Sequence, residues 1–137
     1  MADNVLLNKA ATVERRVRRA SEEYHKDPAS FAADFTRQDA AILNIQRACE
    51  ACLDMVHAII DRERLGVPQS ARDVLALLAR AGWIDAGLAE ALQRMVGCRN
   101  IAVHDYQTLQ LPITVAMIEH HLDDFLAFTR AVLTKSA

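Results

Sequence analysis

Apolar residues recur at helical intervals along almost the whole chain, and the interruptions divide it into five segments. From Asp3 to Lys26, the residues Val5, Leu6, Ala10, Val13, Val17, Ala20 and Tyr24 fall three or four positions apart, which describes one face of a helix. Its stop is predicted at Lys26-Asp27-Pro28, because the residue before a proline is steered out of the helical region. After Ser30, with Phe31 and Phe35 available for packing, Thr36 to Arg64 reads as the longest helix, capped by Thr36 and followed by Gly66-Val67-Pro68. Its broad apolar stripe, which includes Ile42, Ile45, Cys49, Cys52, Val56 and Ile59, suits a central position in a bundle.

Ser70-Ala71-Arg72-Asp73 is a helix start signal, a serine cap followed by an acid three residues on, and it predicts a short helix from Asp73 to Arg80. Trp83-Ile84 reads as a packed connector. Asp85 caps a helix from Ala86 to about Val103, whose stripe is Leu88, Leu92, Met95, Val96, Arg99 and Val103. Arg99 is the charged member of that stripe. Gln107 to Leu111 reads as a loop, and Pro112 suits the first turn of a last helix running to about Leu133. The prediction is an all-α fold of five helices, at least three of them long enough for an antiparallel bundle. With 137 residues and no repeat or linker, residues 1–137 make one domain.

Composition narrows the function. A formal net charge of -2 argues against a protein that coats nucleic acid through bulk electrostatics, although a local basic patch remains open. The local candidate is the polar face of the first helix, with Lys9, Arg15, Arg16, Arg18 and Arg19 against Glu14; its ordinary use is as a solvated face laced with ion pairs. Arg47, Glu50 and Asp54 make a similar polar stripe, either solvated ion pairs or the lining of a site between subunits. No basic region followed by a long apolar run opens the chain, and no stretch reaches the roughly 18 uncharged apolar residues of a spanning helix. The expectation is a cytoplasmic protein. Three cysteines, an odd count, give no disulfide framework.

Phosphate chemistry concentrates in Arg99-Asn100-Ile101-Ala102-Val103-His104-Asp105-Tyr106. An arginine fork suits phosphate oxygens, and histidine exchanges a proton near neutral pH. On an unbroken helix, five residues advance about 500°, so Arg99 and His104 point about 140° apart. Sharing one phosphate then requires a helix end near Val103, a second subunit, or both. The chemistry would be RNA transesterification, with histidine moving a proton and arginine stabilising phosphoryl charge. The ordinary structural alternative is that Arg99 pairs with an acid and His104 ends the helix.

Other clusters have plainer readings. Cys49-Glu50-Ala51-Cys52 lies mid-helix, with no strand before it and no second ligand pair, so buried core thiols are expected rather than a redox or metal site. Cys98 reads as a packed thiol. His120 and Asp124, four residues apart, could share an ion, but with His121, Glu119 and Asp123 they more readily form a solvated helix face.

The Arg99–Tyr106 stretch resembles the signature of the HepT toxins of HEPN/MNT toxin–antitoxin pairs, including the polar residue directly after the arginine. The likeness extends through Gln38 to Asp54 and Gly66 to Arg72, and to chain length and helix order. It implies a prokaryotic HEPN ribonuclease, a homodimer of all-α bundles with a composite active site in the cleft between protomers. Arg99 and His104 are then catalytic, with Asn100 as a supporting polar residue, and RNA cleavage needs no metal or other cofactor. Tyr106 is then the regulatory position, where an MntA-type minimal nucleotidyltransferase antitoxin uses ATP and Mg²⁺ to attach AMP. Each AMP adds charge and bulk to a hydroxyl that is neutral at pH 7. The competing reading is a non-catalytic helical adaptor for a nucleotidyltransferase.

Overall fold

The computed structural model describes residues 4–104 and 111–136, with Ala71 and residues 97–104 described by their backbone alone. The described chain is all helical. In order come α1 (Asn4–His25), a 3-10 segment (Pro28–Ala33), α2 (Phe35–Glu63), α3 (Ala71–Arg80), α4 (Ala86–His104), α5 (Leu111–His120) and α6 (Leu122–Ser136). The all-α expectation holds, but the count of five helices does not.

The α1–α2 hairpin forms the frame. Its antiparallel register is marked by Lys9 Nζ to Asp54 Oδ2 at 2.9 Å, Arg16 to Asn44 Oδ1 at 3.2 Å, and Arg37 Nε to the Glu23 carbonyl at 2.8 Å. Small buried residues, Ala10 and Ala20 on α1 with Ala41, Ala48 and Ala51 on α2, suit a close approach of the two helix axes. α2 also packs against α3, α4 and α6, so its wide apolar stripe is buried, as the breadth of that stripe predicts. Buried Leu75 and Leu78 of α3, and Phe125, Phe128 and Val132 of α6, complete the core.

Helix ends show where local chemistry was sufficient and where tertiary contacts decided. Ser70 Oγ accepts from the Asp73 amide at 3.1 Å, and Asp85 Oδ1 accepts from the Leu88 amide at 2.7 Å, as predicted. The start of α2 differs. Asp34, not Thr36, is the cap, accepting from the Arg37 amide at 3.1 Å. Arg37 and Gln38 explain the choice, because both are buried and both donate back to the turn before the helix. Gln38 Nε2 donates to the Phe31 and Ala32 carbonyls at 2.8 and 3.0 Å, which fixes the helix entry two residues earlier than Thr36.

The predicted last helix is two helices. It is interrupted at His121, where the Asp124 amide reaches back three residues to the His121 carbonyl at 3.1 Å. Asp123 and Asp124 then lie in the first turn of α6, where acids complement the helix dipole. Leu111 already belongs to α5; the rest of the predicted loop, 107–110, lies outside the described residues.

Candidate functional site

α4 carries the phosphate-type motif. Asp85 starts it, and Ala89, Leu92, Met95 and Val96 are its buried face where it packs against α2, α3 and α6. The helix runs through His104, one residue past the expected end. Arg99 stands four positions after Met95 and seven after Leu92, in the register of the inward stripe. His104 is five positions further, about 140° around the axis and about 7.5 Å along it. One copy of α4 therefore does not put both positions on one helix face. The side chains of Arg99, Asn100 and His104 lie outside the described residues, and so does the whole of Tyr106.

The other candidate clusters resolve as structure. Cys49 and Cys52 are buried core residues, and burial, followed by the neighbouring Cys49, pushes the Cys52 thiol well above its ordinary range. A thiol held protonated is a poor nucleophile and a poor metal ligand. His121, not His120, approaches Asp124, with Nδ1 3.4 Å from Oδ2, and no group of three metal-type ligands occurs among the described residues. Arg47 pairs with Glu50 at 3.1 Å, while Asp54 is taken by Lys9 of α1. Much of the α1 basic face is likewise occupied: Arg19 meets Glu23 at 2.6 Å and Arg16 meets Asn44.

Two features escaped the sequence reading. Arg37 is a buried cation that closes the C-terminal end of α1, and its signal was a charged residue four positions before buried Ala41. Tyr24 is held above the usual phenol range by partial burial and by the Glu119 carboxylate, which ties α1 to the end of α5. No helix among the described residues is long and apolar enough to cross a membrane.

Residues 13–132 match the family described as Ribonuclease HepT-like. This chain belongs to that family. It is 48% identical over 126 residues to the mRNA nuclease HepT of Shewanella oneidensis, covering 92% of this chain and 94% of the relative. Among solved structures, it resembles the tri-AMPylated Shewanella oneidensis HEPN toxin in complex with its MNT antitoxin, at 46% identity and a TM-score of 0.89, covering 95% of this chain and 97% of that one. A toxin–antitoxin complex with AMP-PNP is similar at 45% identity and a TM-score of 0.90, covering 95% and 98% of the two chains. The HepT-like family thus accounts for the helix order, and it is the family to which the Arg99–Tyr106 stretch pointed.

Proposed function

We propose that this protein is the ribonuclease toxin of a toxin–antitoxin pair and that it cleaves RNA by metal-independent transesterification. The observation that carries the reading is likeness to an mRNA nuclease over nearly the whole chain, combined with Arg99, Asn100 and His104 on the last turns of α4. In the reaction, the ribose 2′-hydroxyl attacks the neighbouring phosphorus and loses its proton. The bond to the 5′-oxygen breaks, and that oxygen gains a proton, leaving a 2′,3′-cyclic phosphate and a 5′-hydroxyl. His104 moves the proton, Arg99 stabilises the charge on the phosphoryl oxygens, and Asn100 supports them.

The angular separation of Arg99 and His104 on α4 supports a homodimer whose cleft combines residues of both protomers. Tyr106 is the off switch. An MntA-type nucleotidyltransferase antitoxin, using ATP and Mg²⁺, transfers AMP to its hydroxyl, and the added phosphodiester charges and nucleosides exclude RNA from the cleft. The AMPylated state and the antitoxin complex of the Shewanella relative support this control.

The test uses protein made without antitoxin and shown by intact mass to carry no AMP. Arg99→Ala and His104→Ala are each expected to slow RNA cleavage by at least about a hundredfold while leaving circular dichroism unchanged. Co-expression with the antitoxin should add mass in units of AMP, and Tyr106→Phe should abolish the addition. Cleavage at the wild-type rate by both alanine variants would overturn the assignment.

A further inference from the structure

α3 and α4 are joined by the short connection 81–85 and pack against each other, and one contact fixes their register. Gln93 Nε2 donates to the Arg72 carbonyl at 2.9 Å. Gln93 stands seven residues after Ala86 at the start of α4, and Arg72 eight residues before Arg80 at the end of α3. Those lengths, about 10.5 and 12 Å of helix, match as an antiparallel pair requires. The first turn of α3 therefore lies against α4 at the level of Gln93, and α4 continues eleven residues beyond it to His104, about 16.5 Å further.

Helix geometry identifies the positions that continue the face Gln93 turns to α3. Seven residues advance about 700° and eleven about 1,100°, so Asn100 and His104 each lie within about 20° of Gln93 around the axis. Arg99, six residues on, is about 120° away. The Asn100–His104 face of α4 thus leads straight back to the start of α3. An RNA strand held at the His104 position and continuing along this face reaches Arg72.

Arg72 suits such a strand. Its side chain is exposed, and its guanidinium makes no hydrogen bond or ion pair among the described residues. Arg15, Arg64 and Arg80 are also unpaired, and register is what sets Arg72 apart. Arg80 lies at the far end of α3, and Arg64 adjoins Gly66, which sits beside Leu77, five residues along α3 from Arg72. Arg15 belongs to α1, which packs against α2, α5 and α6. The acids in this part of the hairpin are engaged: Asp73 accepts from the Gln69 amide at 3.0 Å, and Glu90 meets Arg94 at 3.2 Å. Nor does folding call for a cation here, because a positive charge in the first turn of a helix opposes the macrodipole.

We propose that Arg72 binds a phosphate of the RNA backbone flanking the scissile one and so positions the strand on the Asn100–His104 face of α4. This rests on the ribonuclease reading above. The contact is to charge rather than to a base, so it sets affinity and salt dependence without choosing sequence.

The test uses the full chain free of AMP and a labelled RNA oligonucleotide whose cut position has been mapped. Arg72→Ala should raise KM by at least about fivefold, with kcat unchanged within about twofold and the slope of log KM against log salt lowered by about 0.7. Arg72→Lys, which keeps the charge, should keep the slope. The thermal midpoint of Arg72→Ala should equal or slightly exceed that of wild type, since the dipole is relieved. Replacing the flanking phosphates one at a time by uncharged methylphosphonates should reveal one linkage that raises KM for wild type and leaves Arg72→Ala unaffected. Arg80→Ala, at the other end of α3, should match wild type throughout. An unchanged KM and salt slope in Arg72→Ala, or equal sensitivity of both proteins to every methylphosphonate, would overturn the contact and leave the ribonuclease reading intact. A fall in kcat at unchanged KM would assign the effect of Arg72 to the chemistry or the fold and equally overturn it. Failure of the wild-type chain to cleave any RNA would remove the ribonuclease reading and this contact together.

Discussion

Replacing Arg37 by alanine isolates the contact that joins the two halves of the frame. Its guanidinium donates to the carbonyls of Glu23, Tyr24 and Asp27 at 2.8, 3.1 and 2.9 Å and to Ser30 Oγ at 2.7 Å, and it sits 5.5 Å from the centre of the Phe31 ring. Two of those carbonyls belong to the last turn of α1, where intrahelical partners run out. No carboxylate forms an ion pair with it among the described residues; the negative end of the α1 dipole is its counter-charge. Removing the side chain strands the buried Glu23 carbonyl, at about 1–3 kcal/mol, while the better-exposed Tyr24 and Asp27 carbonyls regain water and lose about 0.5–1 kcal/mol each. The expected loss is about 3 kcal/mol. Arg37→Lys, which keeps charge but not the fork, should lose about half of that. Equilibrium urea unfolding followed by circular dichroism measures both. A loss below about 1 kcal/mol at unchanged m would refute the reasoning, since desolvation of the guanidinium would then cancel its bonds.

Two further predictions concern stability. Ser70→Ala removes the cap of α3 and should cost about 1 kcal/mol in the same urea assay. For Cys52, the folded thiol keeps its proton to higher pH than the unfolded one. Its contribution is therefore complete below the ordinary thiol range and is lost as pH rises through the folded value. In the presence of reductant, wild type should lose up to about 1.4 kcal/mol per pH unit more than Cys52→Ala above pH about 8.5. Parallel pH profiles for the two proteins would contradict the burial argument.

Much of the fold was legible because its signals were local. Ser70 and Asp85 start α3 and α4 wherever the chain goes next, and the stripe of α2 fixes a central helix. The break at His121 was not legible, because Ile118, Leu122 and Phe125 keep helical spacing straight across it. The cap of α2 depended on Arg37 and Gln38 reaching carbonyls of the preceding turn, a tertiary choice between two good caps. At the site, the residue types of Arg99, His104 and Tyr106 announced phosphate chemistry. Their assembly was not written in one helix, since five residues along α4 separate the two positions by about 140° around its axis.

The central claim is tested most directly by the ends left on RNA. Wild-type protein, free of AMP by intact mass, is incubated with a labelled RNA in excess EDTA, and the products are analysed by mass spectrometry. The account predicts cleavage with 2′,3′-cyclic phosphate and 5′-hydroxyl ends, no cleavage at a 2′-deoxy substitution of the cut nucleotide, and no cleavage by His104→Ala. Cleavage that stops in EDTA, or 5′-phosphate ends, would contradict it.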